Sequence, residues 1–171
     1  MAFIINKIDI KTQIKKFDDF YIDAMVKGIS VIPFDIYAYV NSFESIEVID
    51  DDLKSLGLIE RAGHGFVVAV DKYYSTNLRR IILARLFAHF VLHKDYIIDN
   101  RKIEIQKFWT ADIMAKEAID FASKLLIPKA TFLEYIKNGS TTFEEAKRFG
   151  VTPKFMTYRC FNLGLVKEFQ F

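Results

Sequence analysis

The stretch Asn77–His93, NLRRIILARLFAHFVLH, decides how this chain folds. Its apolar residues fall on nearly every side of a helical wheel, which predicts a helix buried in a core rather than laid on a surface. Arg79 and Arg80 stand at its start. Arg85, His89 and His93 follow at four-residue intervals and form one stripe along one face. Unpaired polar groups in a core are costly, so the stripe has two readings. In one, Arg85 pairs with a carboxylate and the histidines find hydrogen-bond partners. In the other it is a metal site or its remnant. Two histidines at i, i+4 on a helix have the ligand spacing of the zinc motif His-Glu-x-x-His, whose Glu is the general base. Neither register completes that motif. Arg85 to His89 lacks the first His and has Leu86 in place of the Glu. His89 to His93 has both histidines, with Phe90 where the base would stand.

With 171 residues, half of them hydrophobic and 17 of them Phe, the chain can bury a sizeable core as one domain with a small appendage. Arg85 and His89 interrupt the longest apolar run, so no membrane span is expected. The start, MAFIINKIDIKTQ, has no basic region followed by a long apolar one, so no signal peptide is expected. Cys160 is the only cysteine, which excludes an internal disulfide and fits a cytoplasmic location. It falls in an apolar helical pattern and reads as core. A net charge of +2 neither points to nucleic acid nor excludes it.

Outward from the central helix, the N-terminal side predicts helices from Ile10 to Val26 and from Phe34 to Ser42. The segment 45–50, SIEVID, alternates as a strand does, and Leu53 to Glu60 is ambiguous. Ala62-Gly63-His64-Gly65 is a hairpin signal leading into the strand Phe66 to Val70, with His64 an exposed turn residue. On the C-terminal side, Lys94 to Lys107 reads as a connection with room for a strand at Tyr96–Ile98. A helix from Thr110, its expected N-cap, to Leu126 follows and is closed by Pro128. Glu117 and Asp120 lie beside its apolar face. Further helices are expected over 129–137 and 142–149. After a tight turn at Gly150, a last helix is capped by Thr152 with Pro153 at its first position. This pair resembles a helix-turn-helix. Lys154, Thr157 and Arg159 would be its groups for base edges, amid aromatic residues that suggest packing.

Taken in order, these pieces resemble the ImmA/IrrE family of metallopeptidase-like proteins over roughly residues 32–166. Members carry an Arg, a short apolar run, Ala-His-Glu-Leu-Gly-His and Leu-Leu-His. Here the stretch runs from Arg80 through Ala84, Arg85, Leu86 and His89 to His93. Downstream, Glu117-Ala-Ile-Asp-Phe-Ala122 and Leu125-Leu-Ile-Pro128 match the family's Glu-Ala-Asn-x-Phe-Ala and Leu-Leu-Met-Pro. Phe149-Gly-Val-Thr152 and the run from Tyr158 to Leu165 match its close. The resemblance implies an α+β, zincin-like domain over 1–128, and the strand signals predict a small sheet of about three strands from residues 45 to 70 packed on the buried helix. Residues 129–171 would be a helical extension resembling helix-turn-helix. It also implies a partner class, since members are associated with mobile elements and stress responses, often beside a helix-turn-helix repressor.

The departures fall on the chemistry. Arg85 stands at the first zinc ligand and Leu86 at the general base, while His89 and His93 are kept. Glu117 is the nearest match to the acidic third ligand. The expectation is a catalytically inactive, protein-binding regulatory module with no cofactor. Its degenerate site would be Arg85, Leu86, His89, His93 and Glu117, with Arg85 paired to Glu117 or Asp120. A peptide would be received along Phe66, Val67, Val68, Ala69 and Val70 by strand addition. Two alternatives stay open. One is a zinc endopeptidase with a shifted site of His89, His93 and Glu117 that cleaves a repressor. The other, less favoured, is a DNA-binding regulator using the C-terminal helices. Rewriting Arg85→His with Leu86→Glu would restore the motif and is expected to restore zinc binding.

Overall fold

The computed structural model of the protein describes residues 17–170. In chain order these form α1 (Phe17–Val26), α2 (Ile36–Asn41), β1 (Ile46–Asp51), β2 (Gly57–Ala62), β3 (Gly65–Asp71), α3 (Thr76–Leu92), α4 (Lys94–Asn100) and β4 (Lys102–Ile105). They continue with α5 (Ile113–Leu126), α6 (Lys129–Lys137), α7 (Thr142–Phe149) and α8 (Pro153–Asn162). The architecture is α+β. The part of the first predicted helix before Phe17 lies outside the described residues.

The sheet runs in the order β1-β3-β2-β4. β3 pairs in parallel with β1 and antiparallel with β2, through the tight turn that Gly63 makes with φ +58°. β4 joins β2 antiparallel, with Ile103 opposite Ile59 and Ile105 opposite Gly57. Two expectations are corrected here. The connection after α3 holds its strand at Lys102–Ile105, not at Tyr96–Ile98, which lies in α4. Phe66–Val70 is no edge, because both sides of β3 are hydrogen-bonded to neighbours. The edge beside the central helix's polar stripe is β4.

α3 is buried without a break from Ile81 to Phe90. It lies between the sheet, against β2 and β3, and α5 on the other side. Gly57 permits the close approach to the sheet. A Cβ there would come within 2.9 Å of Ile82 Cγ2 and Leu86 Cδ1 and within 2.8 Å of the Ala69 carbonyl oxygen. The start of α3 is capped by the Ser75 side chain, which accepts from Leu78 N–H. The start of α5 is capped by Asp112 rather than Thr110, its carboxylate accepting from Ala115 N–H at 2.8 Å. Asp112 outcompetes the threonine because a carboxylate also favours the positive end of the helix dipole.

The C-terminal helices share the core with the rest, through Phe132, Phe149, Phe155 and Tyr158. Thr141 and Glu144 form a capping box on α7, Gly150 takes φ +63° after it, and Thr152 and Pro153 open α8. Arg80 fixes this turn to the N-terminal half. Its Nε donates to the Gly150 carbonyl at 3.0 Å, and its Nη2 donates to the carbonyls of Phe34 at 2.8 Å and Phe149 at 3.4 Å.

Candidate functional site

The stripe on α3 faces the start of α5 and the segment that leaves β4. His93 closes α3 and sits with Nε2 2.9 Å from Glu117 Oε2 on α5. Its Nδ1 lies 3.0 Å from Nδ1 of His89. A carboxylate only accepts, so the His93 Nε2 bears the proton it shares with Glu117. In neutral His93 the other nitrogen is then an acceptor, and His89 Nδ1–H donates to it. His89 Nε2 is buried and has no partner among the described residues, and in that tautomer it bears a lone pair. Burial, then the charge of Arg85, then His93, push the His89 pKa down to about 3. His89 is therefore a neutral imidazole at physiological pH.

Arg85, 3 % exposed, does not reach the expected carboxylates. Its Nη1 donates to the Phe108 carbonyl at 2.8 Å and to the Lys107 carbonyl at 3.2 Å. No carboxylate among the described residues lies within ion-pair distance of it. The expected partners are engaged elsewhere, Glu117 by His93 and Asp120 by the Tyr158 hydroxyl and by Asn162 Nδ2 at 3.0 Å. The reason is steric order along α5. Asp120 is one turn further on and looks toward α8, while His93 intercepts Glu117. Burial lowers the Arg85 pKa to about 10, with Asp112 opposing, so the guanidinium keeps its charge.

These side chains do not gather around one point. Glu117 touches Nε2 of His93 and His89 touches Nδ1, opposite edges of a single ring, so one ion cannot meet all three. Among the described residues no three His, Cys, Asp or Glu side chains are grouped to hold a metal ion. Catalytic zinc needs three protein ligands and an open position. The donor set here does not fit it, and a fixed cation stands beside the one bare lone pair. Leu86, expected at the position of the general base, is fully buried against β2.

Arg85 and His89 floor a cleft of about 390 Å³ walled by Lys102–Lys107 on one side and by Asp112, Met114 and Ala115 on the other. β4 is its rim. The bond from Arg61 N–H to the Arg101 carbonyl sets which groups β4 turns toward β2. By alternation the N–H and C=O of Lys102 and Glu104 face away, toward the cleft. Sequence reasoning missed this edge, although Lys102-Ile-Glu-Ile-Gln106 alternates in the manner of a half-buried strand. It also missed the Lys107 and Phe108 carbonyls, for which no side-chain signal exists.

Of the remaining candidates, His64 is an exposed turn residue as expected. Arg159, expected to be available to base edges, is 4 % exposed and donates through Nε to the Ile127 carbonyl at 3.1 Å. No helix among the described residues is long and apolar enough to cross a membrane. A family model described as the IrrE N-terminal-like domain matches residues 42–161, from just before β1 almost to the end of α8. No curated protein matches the chain.

Proposed function

The chain belongs to the IrrE N-terminal-like domain family, and from that premise we propose that it is a catalytically inactive member that works by binding a protein. The observation that carries this reading is Arg85. Where the family has its first zinc ligand, a permanent guanidinium is tied to two backbone carbonyls. The groups left over, His89, His93 and Glu117, hydrogen-bond to one another in a line. Loss of a general base alone typically costs about 10²- to 10⁴-fold in rate, and here the metal position is lost as well.

What survives is the cleft and the open edge of β4. Strand addition along Lys102–Ile105 would give an extended segment main-chain hydrogen bonds to Lys102 and Glu104 and place its alternate side chains over the floor. The partner is a regulator of the helix-turn-helix repressor class, in the cytoplasm, in the setting of a mobile element or stress response. The DNA-binding alternative is weakened by the burial of Arg159, Phe155, Met156 and Tyr158 on α8.

The test is zinc per chain after dialysis, together with hydrolysis of an unstructured protein substrate. Substoichiometric zinc and no cleavage are expected. One zinc per chain lost on His89→Ala or His93→Ala, with cleavage, would overturn the proposal in favour of the shifted-site peptidase.

A further inference from the structure

Arg85 carries a charge that no carboxylate among the described residues pairs with, and Asp112 acts on it only from beyond ion-pair distance. A guanidinium has five N–H donors, and Nη1 supplies both of its own to Lys107 and Phe108. Nε is buried without an acceptor, and Nη2 has none among the described residues. These are not unrelated leftovers. Nη2 lies on the same side of the guanidinium as Nε–H, so the two N–H bonds run parallel and form the fork that accepts both oxygens of a carboxylate. The carbonyl anchors hold the group in place, so the fork is pre-oriented.

The surroundings favour an anion. Lys102 and Lys107 stand on the cleft wall with Arg85 below. Glu104 and Lys102 pair with each other at 3.4 Å, which leaves Lys107 as the wall's unpaired cation among the described residues, and on the opposite wall the Asp112 carboxylate accepts from the Ala115 amide at 2.8 Å. Arg85 and Lys107 have no carboxylate partner among the described residues. A buried guanidinium without a counter-ion is costly, and a ligand that brings a carboxylate removes that cost.

We propose that the Arg85 fork is a carboxylate seat, which receives an acidic side chain of a partner segment lying along β4. This rests on the docking reading above and narrows it. A strand added to β4 sends every second side chain toward α3, and one of those side chains bears the carboxylate. The position that in an active relative would hold a cation for catalysis is used here to select an acidic residue.

The test uses the full chain and two blocked pentapeptides, Thr-Val-Glu-Val-Thr and its Gln counterpart, titrated by NMR. The signals followed are the backbone amides of Lys102 and Glu104 and the Nε–H of Arg85. Both peptides should move the two amides. The Glu form should bind about tenfold more tightly, the range of a charge-assisted hydrogen bond, and it alone should move the Arg85 Nε–H. Arg85→Lys, which keeps the charge and loses the fork, should reduce the preference, and Arg85→Gln should abolish it. Equal affinity of the two peptides for the parent protein overturns the seat and leaves docking on β4 standing. If neither peptide binds, the docking reading fails, and glutarate against glutaramide decides the seat. Saturable movement of the Arg85 Nε–H by glutarate alone supports it, and no movement overturns it.

Discussion

Replacing His89 by Asn should flatten the acid sensitivity of this protein. His89 is buried as a neutral imidazole, with its pKa pushed down to about 3 from the ordinary 6.5. Protonation would place a second cation 3.0 Å from His93 and next to Arg85, in a site with little water. In the unfolded chain His89 titrates normally. Between these values the unfolded state binds the proton and the folded state does not, so stability falls as pH falls from about 6.5 toward 3. At pH 5 the gap is about 1.5 units, or roughly 2 kcal/mol at 1.36 kcal/mol per unit. For a chain of this size that is about 4–8 °C in Tm. Asn keeps a hydrogen-bonding group near the place of Nδ1 and does not titrate. It lowers stability through lost packing, but equally at both pH values. The assay is Tm at pH 7.5 and pH 5.0 at constant ionic strength for both proteins. The parent should lose about 4–8 °C more than the variant on acidification. An identical loss in the two proteins would refute the assignment of a neutral, desolvated His89.

Three further outcomes follow from the same geometry. Arg80→Met should cost about 3 kcal/mol in urea unfolding, because it orphans the carbonyls that bind the turn at Gly150 to Phe34; a cost below about 0.5 kcal/mol, as at an ordinary surface site, would contradict the clamp. Gly57→Ala should destabilise by about 1–3 kcal/mol through overpacking between β3 and α3, and an unchanged midpoint would mean that the helix does not ride so close to β2. The double change Arg85→His with Leu86→Glu should rewrite the zinc motif without restoring the site, since Glu117 stays on the far nitrogen of His93. Zinc well below one per folded chain is expected, the reverse of what the motif alone predicts, and stoichiometric zinc would show that Glu117 and His93 rearrange readily.

Much of the fold was legible because it rests on local physics. The all-round apolar pattern of Asn77–His93 marked the buried helix. Alternation marked β1, the hairpin signal around Gly63 marked the start of β3, and Gly150, Thr152 and Pro153 marked the turn and cap between the last two helices. The family resemblance and the departures at Arg85 and Leu86 were also sequence facts, since they depend on residue identity and spacing. Sheet order was not legible. β3 reads as a plausible edge until β1 and β2 are seen on either side of it, and β4 is a short strand with a weak pattern. The pairing of the polar stripe was hidden for a related reason. Spacing along α3 places Arg85, His89 and His93 on one face, but which of them meets Glu117 depends on how α5 is set against α3. That setting is fixed by packing across the whole core. It gives the carboxylate to His93 and leaves Arg85 to the carbonyls of Lys107 and Phe108, backbone groups that every residue carries and no sequence pattern distinguishes.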